Sequence, residues 1–251
     1  SGGDIESMII FLPTKQEQKE IGNFFCAIEK KLELQEQRID KLKKYKKGII
    51  QRIFSQEIRF KDEKGQEYPQ WREKKLGDIA RISYGYTPST KDSDNFGGEY
   101  TWYGVSDLKS KRISKSVRTL SKKGYRKDKV IKKGTLLMSF KLTIGLLSIT
   151  DVDCLTNEAI ANFTWVDNVD TDFMYYRLYT TNIIKYGNQA AQGITLNSNA
   201  LNSIIVILPI YEEQVKIANF LSSLDKKIEL EEEKLQSYKE FKKGLMQRMF
   251  I

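Results

Sequence analysis

The strongest constraint on this 251-residue chain is a repeat that stands near both of its ends. The segment Leu12-Pro13-Thr14-Lys15-Gln16-Glu17-Gln18 returns, displaced by 196 residues, as Leu208-Pro209-Ile210-Tyr211-Glu212-Glu213-Gln214. The match continues without a gap: 19 of the 43 positions from 12 to 54 are identical in the second copy. Self-similarity of this extent means that both copies are one structural unit used twice.

Each copy reads as a single long helix. In the first, Ile21, Phe24, Phe25, Ile28, Leu32, Ile39, Leu42, Tyr45, Ile49 and Ile53 recur mostly three and four residues apart, with charges between them. Ile217, Phe220, Leu221, Leu224, Ile228, Leu235, Tyr238, Phe241, Leu245 and Met249 draw the same stripe. A helix of roughly 38 residues is roughly 57 Å long. Two such faces left in water would each be costly at about 25 cal/mol per Å² of apolar surface. Because one helix leads into the central region and the other leaves it, the two are expected to pair antiparallel. A merely solvated charged face is the alternative, and it holds for the run Glu231 to Glu233. Phe24, Phe25, Phe220 and Leu221 widen each stripe beyond a narrow seam, which marks them as candidate contacts for a further helix.

The organisation that follows is a helix over 13–54, a head over 55–208 and a second helix over 209–251. Residues 1–12 are expected to be the terminal strand of a preceding head, since 7–12 is the counterpart of 203–208. Within the head, 76–84, 130–140, 144–150, 159–166 and 203–208 carry strand-like runs. Asp170 or Thr171 opens a helix expected to reach Gly187. The fold class expected is α+β: one mixed α/β domain flanked by two long helices forming an antiparallel coiled coil.

Composition then narrows the function. The chain contains no histidine, which removes Ser-His and Cys-His hydrolases and His-ligated metals. The two cysteines, Cys26 and Cys154, have no metal-type spacing and read as packed thiols. No GxxxxGK[ST] loop, glycine-rich cofactor loop or Asn-Pro-Pro motif is present, so ATP-driven and methyl-transfer chemistry are not expected here. No segment approaches the roughly 18 apolar residues of a membrane span, nor is there a signal-peptide pattern, so a cytoplasmic location is expected.

The formal charge is +9, and its placement is uneven. Residues 109–133 hold twelve Lys or Arg and one acid, Asp128, while the rest of 55–206 is net acidic. Lys109, Lys111, Arg112, Lys115 and Arg118 lie among serines and threonines, a mixture suited to phosphate oxygens. A solvated charged loop is the competing reading. Nearby, Tyr86, Thr87, Ser89, Thr90, Lys91, Trp102 and Tyr103 are expected on turns as hydrogen-bonding and stacking groups, with Lys141 as a further cation. Asn157 and Gln192 could each address adenine through two hydrogen bonds, though capping or turn roles are equally open.

Taken together, these motifs resemble the specificity subunits of type I restriction-modification systems. The doubled Leu-Pro helix with its Glu-Gln and Asn-Phe pairs carries most of the likeness. Trp71, Leu76-Gly77-Asp78, Gly85-Tyr86-Thr87-Pro88, Tyr100-Thr101-Trp102, Val105-Ser106-Asp107-Leu108 and Thr156-Asn157-Glu158-Ala159 resemble a target-recognition domain, and Lys133-Gly134-Thr135, Thr143-Ile144-Gly145 and Gly193-Ile194-Thr195 extend the match. Family members usually have two such domains, whereas here one is complete, as in the C-terminal half or a half-length form. The resemblance implies a non-enzymatic subunit that reads one half of a split sequence in double-stranded DNA and docks methylation subunits through its helices. It also implies that S-adenosylmethionine and ATP belong to the methylation and restriction partners, with no cofactor on this chain. In a half-length form a homodimer is expected. A structural coiled-coil adaptor with non-specific nucleic-acid binding is the alternative.

Overall fold

The computed structural model describes residues 12–141, 143–166, 168–190 and 193–249. The expected strand at 1–12 and Gln192 therefore lie outside the described residues. Two long helices, α1 (Lys15–Phe54) and α5 (Tyr211–Met249), frame the smaller elements. The chain divides into a helical unit, 1–47 with 223–251, and a head, 48–222.

Within the helical unit the two helices run antiparallel, as their ion pairs show. Lys46 meets Asp225, Lys43 meets Glu232 at 2.5 Å, Arg38 meets Glu231 at 3.0 Å, Lys239 meets Glu36 at 2.7 Å and Lys242 meets Glu29. The arrangement has an internal twofold. Shifted by the repeat interval, Lys46–Asp225 becomes Lys242–Glu29, and Lys43–Glu232 becomes Lys239–Glu36. On the axis, Gln35 faces its own repeat counterpart, donating from Nε2 to Glu231 O at 2.9 Å and to Glu231 Oε2 at 2.7 Å. Leu32, Ile39 and Ile228 are buried in the seam. A polar group in such a seam fixes register, because any slip leaves it without its partner.

The head is built from short strands and three short helices. In chain order they are β1 (Arg72–Lys75), α2 (Leu76–Ile79), β2 (Ala80–Tyr84), β3 (Phe96–Tyr103), β4 (Arg112–Ile113), β5 (Arg118–Leu120), β6 (Leu136–Ser139), β7 (Leu147–Thr150), β8 (Leu155–Thr156) and β9 (Ile160–Trp165). After these come α3 (Thr171–Thr180), β10 (Asn188–Ala190), β11 (Gly193–Thr195), α4 (Ser198–Ser203) and β12 (Ile205–Leu208). The main sheet has the order β2-β9-β6-β7-β4, antiparallel except where β4 lies parallel to β7. A second sheet, β5-β3-β8, carries the candidate site. β1 and β12 form an antiparallel ribbon that brings the two ends of the head together, Arg72 opposite Leu208 and Lys75 opposite Ile205.

Every residue of β6 and β7 is buried, which accounts for their continuous rather than alternating apolar pattern. Phe54, Trp71 and Phe173 form an aromatic cluster with ring centroids 5.6 to 6.1 Å apart. Beside it lies Glu213, fully buried, which accepts from Arg59 Nε and Nη2 at 2.9 Å and from Trp71 Nε1 at 3.1 Å. The two-pronged arginine bond and the indole donor together satisfy a carboxylate that would otherwise be costly to bury.

Several expectations need correction. The run 76–84 is a helical turn followed by a strand, since Leu76 and Ile79 are both buried at helical spacing. The run 130–140 is strand only at its end, because Gly134 turns the chain at φ 85°. The helix capped by Asp170, whose side chain accepts from Phe173 N at 2.7 Å, stops at Thr180 rather than Gly187. Cys154 is buried, and burial pushes its thiol up to about 12, but Cys26 is exposed. Among the described residues no helix is long and apolar enough to cross a membrane.

Candidate nucleic-acid interface

The second sheet and the loops around it form the site. Gly85 lets the chain leaving β2 approach β8 closely, since a Cβ there would lie 2.0 Å from Thr156 O. This pins Tyr86, whose N donates to Thr156 O at 2.8 Å and whose hydroxyl donates to Gly124 O. Arg126 sits over the Tyr86 ring at 5.5 Å, and burial raises the phenol's pKa although Arg126 opposes it. Thr87 Oγ1 donates to Glu158. Farther along, Asn95 Nδ2 donates to Ser89 O at 3.0 Å, and Lys123 pairs with Asp92 at 2.7 Å, holding the Asp92 carboxyl below its usual range. Ser89, Thr90 and Lys91 are exposed on this anchored loop.

Trp102 and Tyr103 lie in β3, not on a turn, and both are buried. Trp102 Nε1 donates to Tyr86 O at 3.0 Å, and the fully buried Tyr103 donates its hydroxyl to Ile113 O at 3.2 Å. Tyr103 is therefore a core residue with no surface for DNA. Tyr86 and Trp102 likewise hold the loops in place, their polar atoms bonded within the head.

The basic stripe divides into two groups. Lys111 bonds to Asp172 at 2.7 Å and to Tyr176 Oη and Ser222 Oγ at 2.8 Å, its ammonium 4.4 Å from the Tyr176 ring. Arg112 pairs with Asp172 at 2.6 Å and Asp151 at 3.1 Å. Burial works against both charges of this cluster. Even so, Asp172 and Asp151 raise the Arg112 pKa, and Lys111 with Arg112 holds Asp172 below the usual carboxylate range. Lys111, its side chain 14% exposed, is turned inward by these partners and not toward a phosphate, whereas Arg112 joins the same cluster from β4 while remaining exposed. Lys123, Arg126 and Lys132 also have acidic partners. Among the described residues, Lys109, Lys115, Arg118, Lys122, Lys127, Lys129 and Lys133 have no ion pair. Lys141 is exposed, its ammonium 5.3 Å from the Phe140 ring.

Two adjoining depressions gather part of the expected set. One, of about 390 Å³, is lined by Lys109, Arg112 and Lys115 with Ser110, Ser114 and Ser116. The other, an open groove of about 600 Å³, is lined by Trp102, Arg118 and Asn157 with Ser106, Asp107 and Thr143. They share Asp107 and Val117. Asp107 is a residue that charge and aromatic counting overlooked. It binds Gly104 N at 2.8 Å and Val117 N at 3.0 Å, closing the loop between β3 and β5. Its spacing from Gly104 was the available signal, because an acid three residues after a glycine can close a tight turn.

The partner-helix candidates also separate. Leu221 is fully buried and Phe220 packs on Phe60 at 5.6 Å, so Leu221 is withdrawn as a contact for another chain. Phe24 is 45% exposed and meets Phe25 edge-on at 5.9 Å.

Comparison with known proteins decides the family. The profile described as "Type I restriction modification DNA specificity domain" matches residues 68–240, most of the chain. The chain belongs to this family. The chain is 29% identical over 207 residues to the type I restriction enzyme MjaIX specificity subunit of Methanocaldococcus jannaschii, covering 79% of this chain and 48% of that protein. The HindI specificity subunit of Haemophilus influenzae is 29% identical over 63% of this chain and 37% of its own length. The chain thus spans about half the length of the curated relatives it matches. These relatives are named as specificity subunits, not as catalytic ones. In fold, the specificity domain is similar to the HsdS subunit from Thermoanaerobacter tengcongensis (TM-score 0.58, 17% identity, 95% of this chain and 59% of that one). The S subunit from M. genitalium matches at TM-score 0.62 and 18% identity, with 95% and 62% covered.

Proposed function

We propose that this chain recognises one half of a bipartite sequence in double-stranded DNA and docks methylation subunits through its helices. The observation that carries this reading is the groove bearing Trp102, Arg118 and Asn157 beside a surface of unpaired cations, within a DNA specificity domain. Unpaired lysines position phosphates without reading sequence, and groups in the groove contact base edges. The exposed Phe24, Leu34 and Phe241 of the helical unit supply apolar area for partner helices. S-adenosylmethionine and ATP chemistry then belong to the methylation and restriction subunits, and this chain contributes recognition alone.

Mobility shifts across a set of unrelated duplexes, repeated over a range of salt, test the reading. If about six phosphates are neutralised, log K falls against log salt with a slope near −5. Lys109→Gln with Lys115→Gln flattens that slope by about 2 units. Lys111→Gln instead weakens the fold, because its partners lie inside the head. Binding that is absent, or equal on all duplexes with the methylation subunit present, favours a structural adaptor.

A further inference from the structure

The groove lined by Trp102, Arg118 and Asn157 presents a small set of polar groups to a ligand. Asp107 commits one carboxylate oxygen to Gly104 N and the other to Val117 N. Asn157 is fixed in the same way: its Oδ1 accepts from Ala159 N at 3.1 Å and its own N donates to Tyr103 O at 2.9 Å. The Nδ2 donor of Asn157 has no hydrogen-bond partner among the described residues. Arg118 is exposed on β5 and, among the described residues, its guanidinium has no ion pair or hydrogen bond. Trp102 closes the groove from below with its indole N–H already bonded to Tyr86 O. The groove therefore offers the Arg118 guanidinium and the Asn157 Nδ2 as donors, beside the hydroxyls of Ser106 and Thr143.

We infer that this groove reads a guanine from the major groove, with Arg118 as the specificity-determining residue and Asn157 as a second donor. The inference rests on the DNA-recognition reading above. Guanine presents two acceptors, N7 and O6, side by side, and a guanidinium fork meets both at once. Adenine offers one acceptor beside an amine donor, which meets only half of the guanidinium fork and sets the amine against its other half. Thymine offers one acceptor beside a methyl group, which leaves half of the fork without a partner.

The experiment selects duplexes from a random pool with the full chain, then compares the wild type with Arg118→Lys and Arg118→Ala. The selected half-site contains a guanine whose replacement by 7-deazaguanine weakens binding roughly 5- to 150-fold. Arg118→Lys keeps the charge and loses the preference at that one position, with the salt slope and thermal melting unchanged. Arg118→Ala loses the preference as well, while the slope, which counts neutralised phosphates, changes little. A selected site without guanine, or base preferences that survive both substitutions, overturns the groove assignment while DNA recognition stands. A wild type that selects no sequence overturns both.

Discussion

Glu17 and Glu213 occupy the same place in the two copies of the repeat, as do Gln18 and Gln214. Both glutamines turn back to the proline before their helix, Gln18 Nε2 donating to Pro13 O at 2.8 Å and Gln214 Nε2 to Pro209 O at 3.0 Å. Beyond this bond the copies part. Glu213 and Gln214 are buried, the first holding Arg59 and Trp71 and the second accepting from Asp170 N at 3.0 Å, whereas Glu17 and Gln18 are exposed. Farther along, the helices again agree, with ion pairs that repeat about Gln35 and Glu231. The local bond recurs because a five-residue loop-back needs only its own turn. The role of the glutamate is set by what packs upon it, which the repeat itself does not encode.

The largest test of this contrast is Glu213→Ala, which leaves Arg59 without its partner and the Trp71 N–H unpaired. Denaturant unfolding should register a loss of about 3–5 kcal/mol, as when one member of a buried pair is removed. Glu17→Ala at the equivalent surface position should stay within about 0.5 kcal/mol. Equal losses would break the comparison. Next, Leu221→Ala should cost about 2–5 kcal/mol, the range for a fully buried leucine. Phe25→Ala, its half-buried counterpart, should cost clearly less in the same assay.

Acid titration compares two lowered carboxylates, one in the head and one in the helical pair. Asp172 has a folded pKa below its ordinary value of about 3.9. It therefore stabilises the fold fully above that ordinary value, and the stabilisation disappears as pH falls through the lowered one. Asp172→Asn should flatten the acid limb of the stability curve between about pH 5 and 2. Glu231, half-buried in the helical pair and also lowered, first by its hydrogen bond from Gln35, should flatten the same limb when replaced by Gln. The smallest effects belong to the symmetric exposed pairs. Lys43→Ala and Lys239→Ala should each cost about 0.2–1 kcal/mol, nearly equally, and less in high salt. Unequal costs would show that the internal twofold is geometric and not energetic.

The long helices were legible because their apolar period runs over ten turns, and nothing else produces that pattern. β4 and β5 were not, because two- and three-residue strands within a lysine-rich stretch carry no readable alternation. Trp102 and Tyr103 misled for a related reason: two glycines within β3 imitate a turn, while the bulge between Phe96 and Tyr100 is visible only once β5 is paired to it. The cations posed a harder problem. Lys109 and Lys111 are two residues apart and similar in the sequence, yet Asp172 and Ser222 claim only the second. Partners so far along the chain leave no local mark on the lysine. Part of the candidate site was therefore readable as composition, and its division into unpaired and internally paired charges was not.

The β1–β12 ribbon has a consequence for how such a chain can change. Its register, Arg72 opposite Leu208 and Lys75 opposite Ile205, places the way in and the way out of the head on neighbouring strands, about 4.8 Å apart. A segment whose ends already touch can be exchanged as a cassette without moving what lies on either side. Any other fold that closes on the same two strands would inherit the helices and their spacing intact. A different head could thus be acquired by recombination at two points, leaving the two helices as they were.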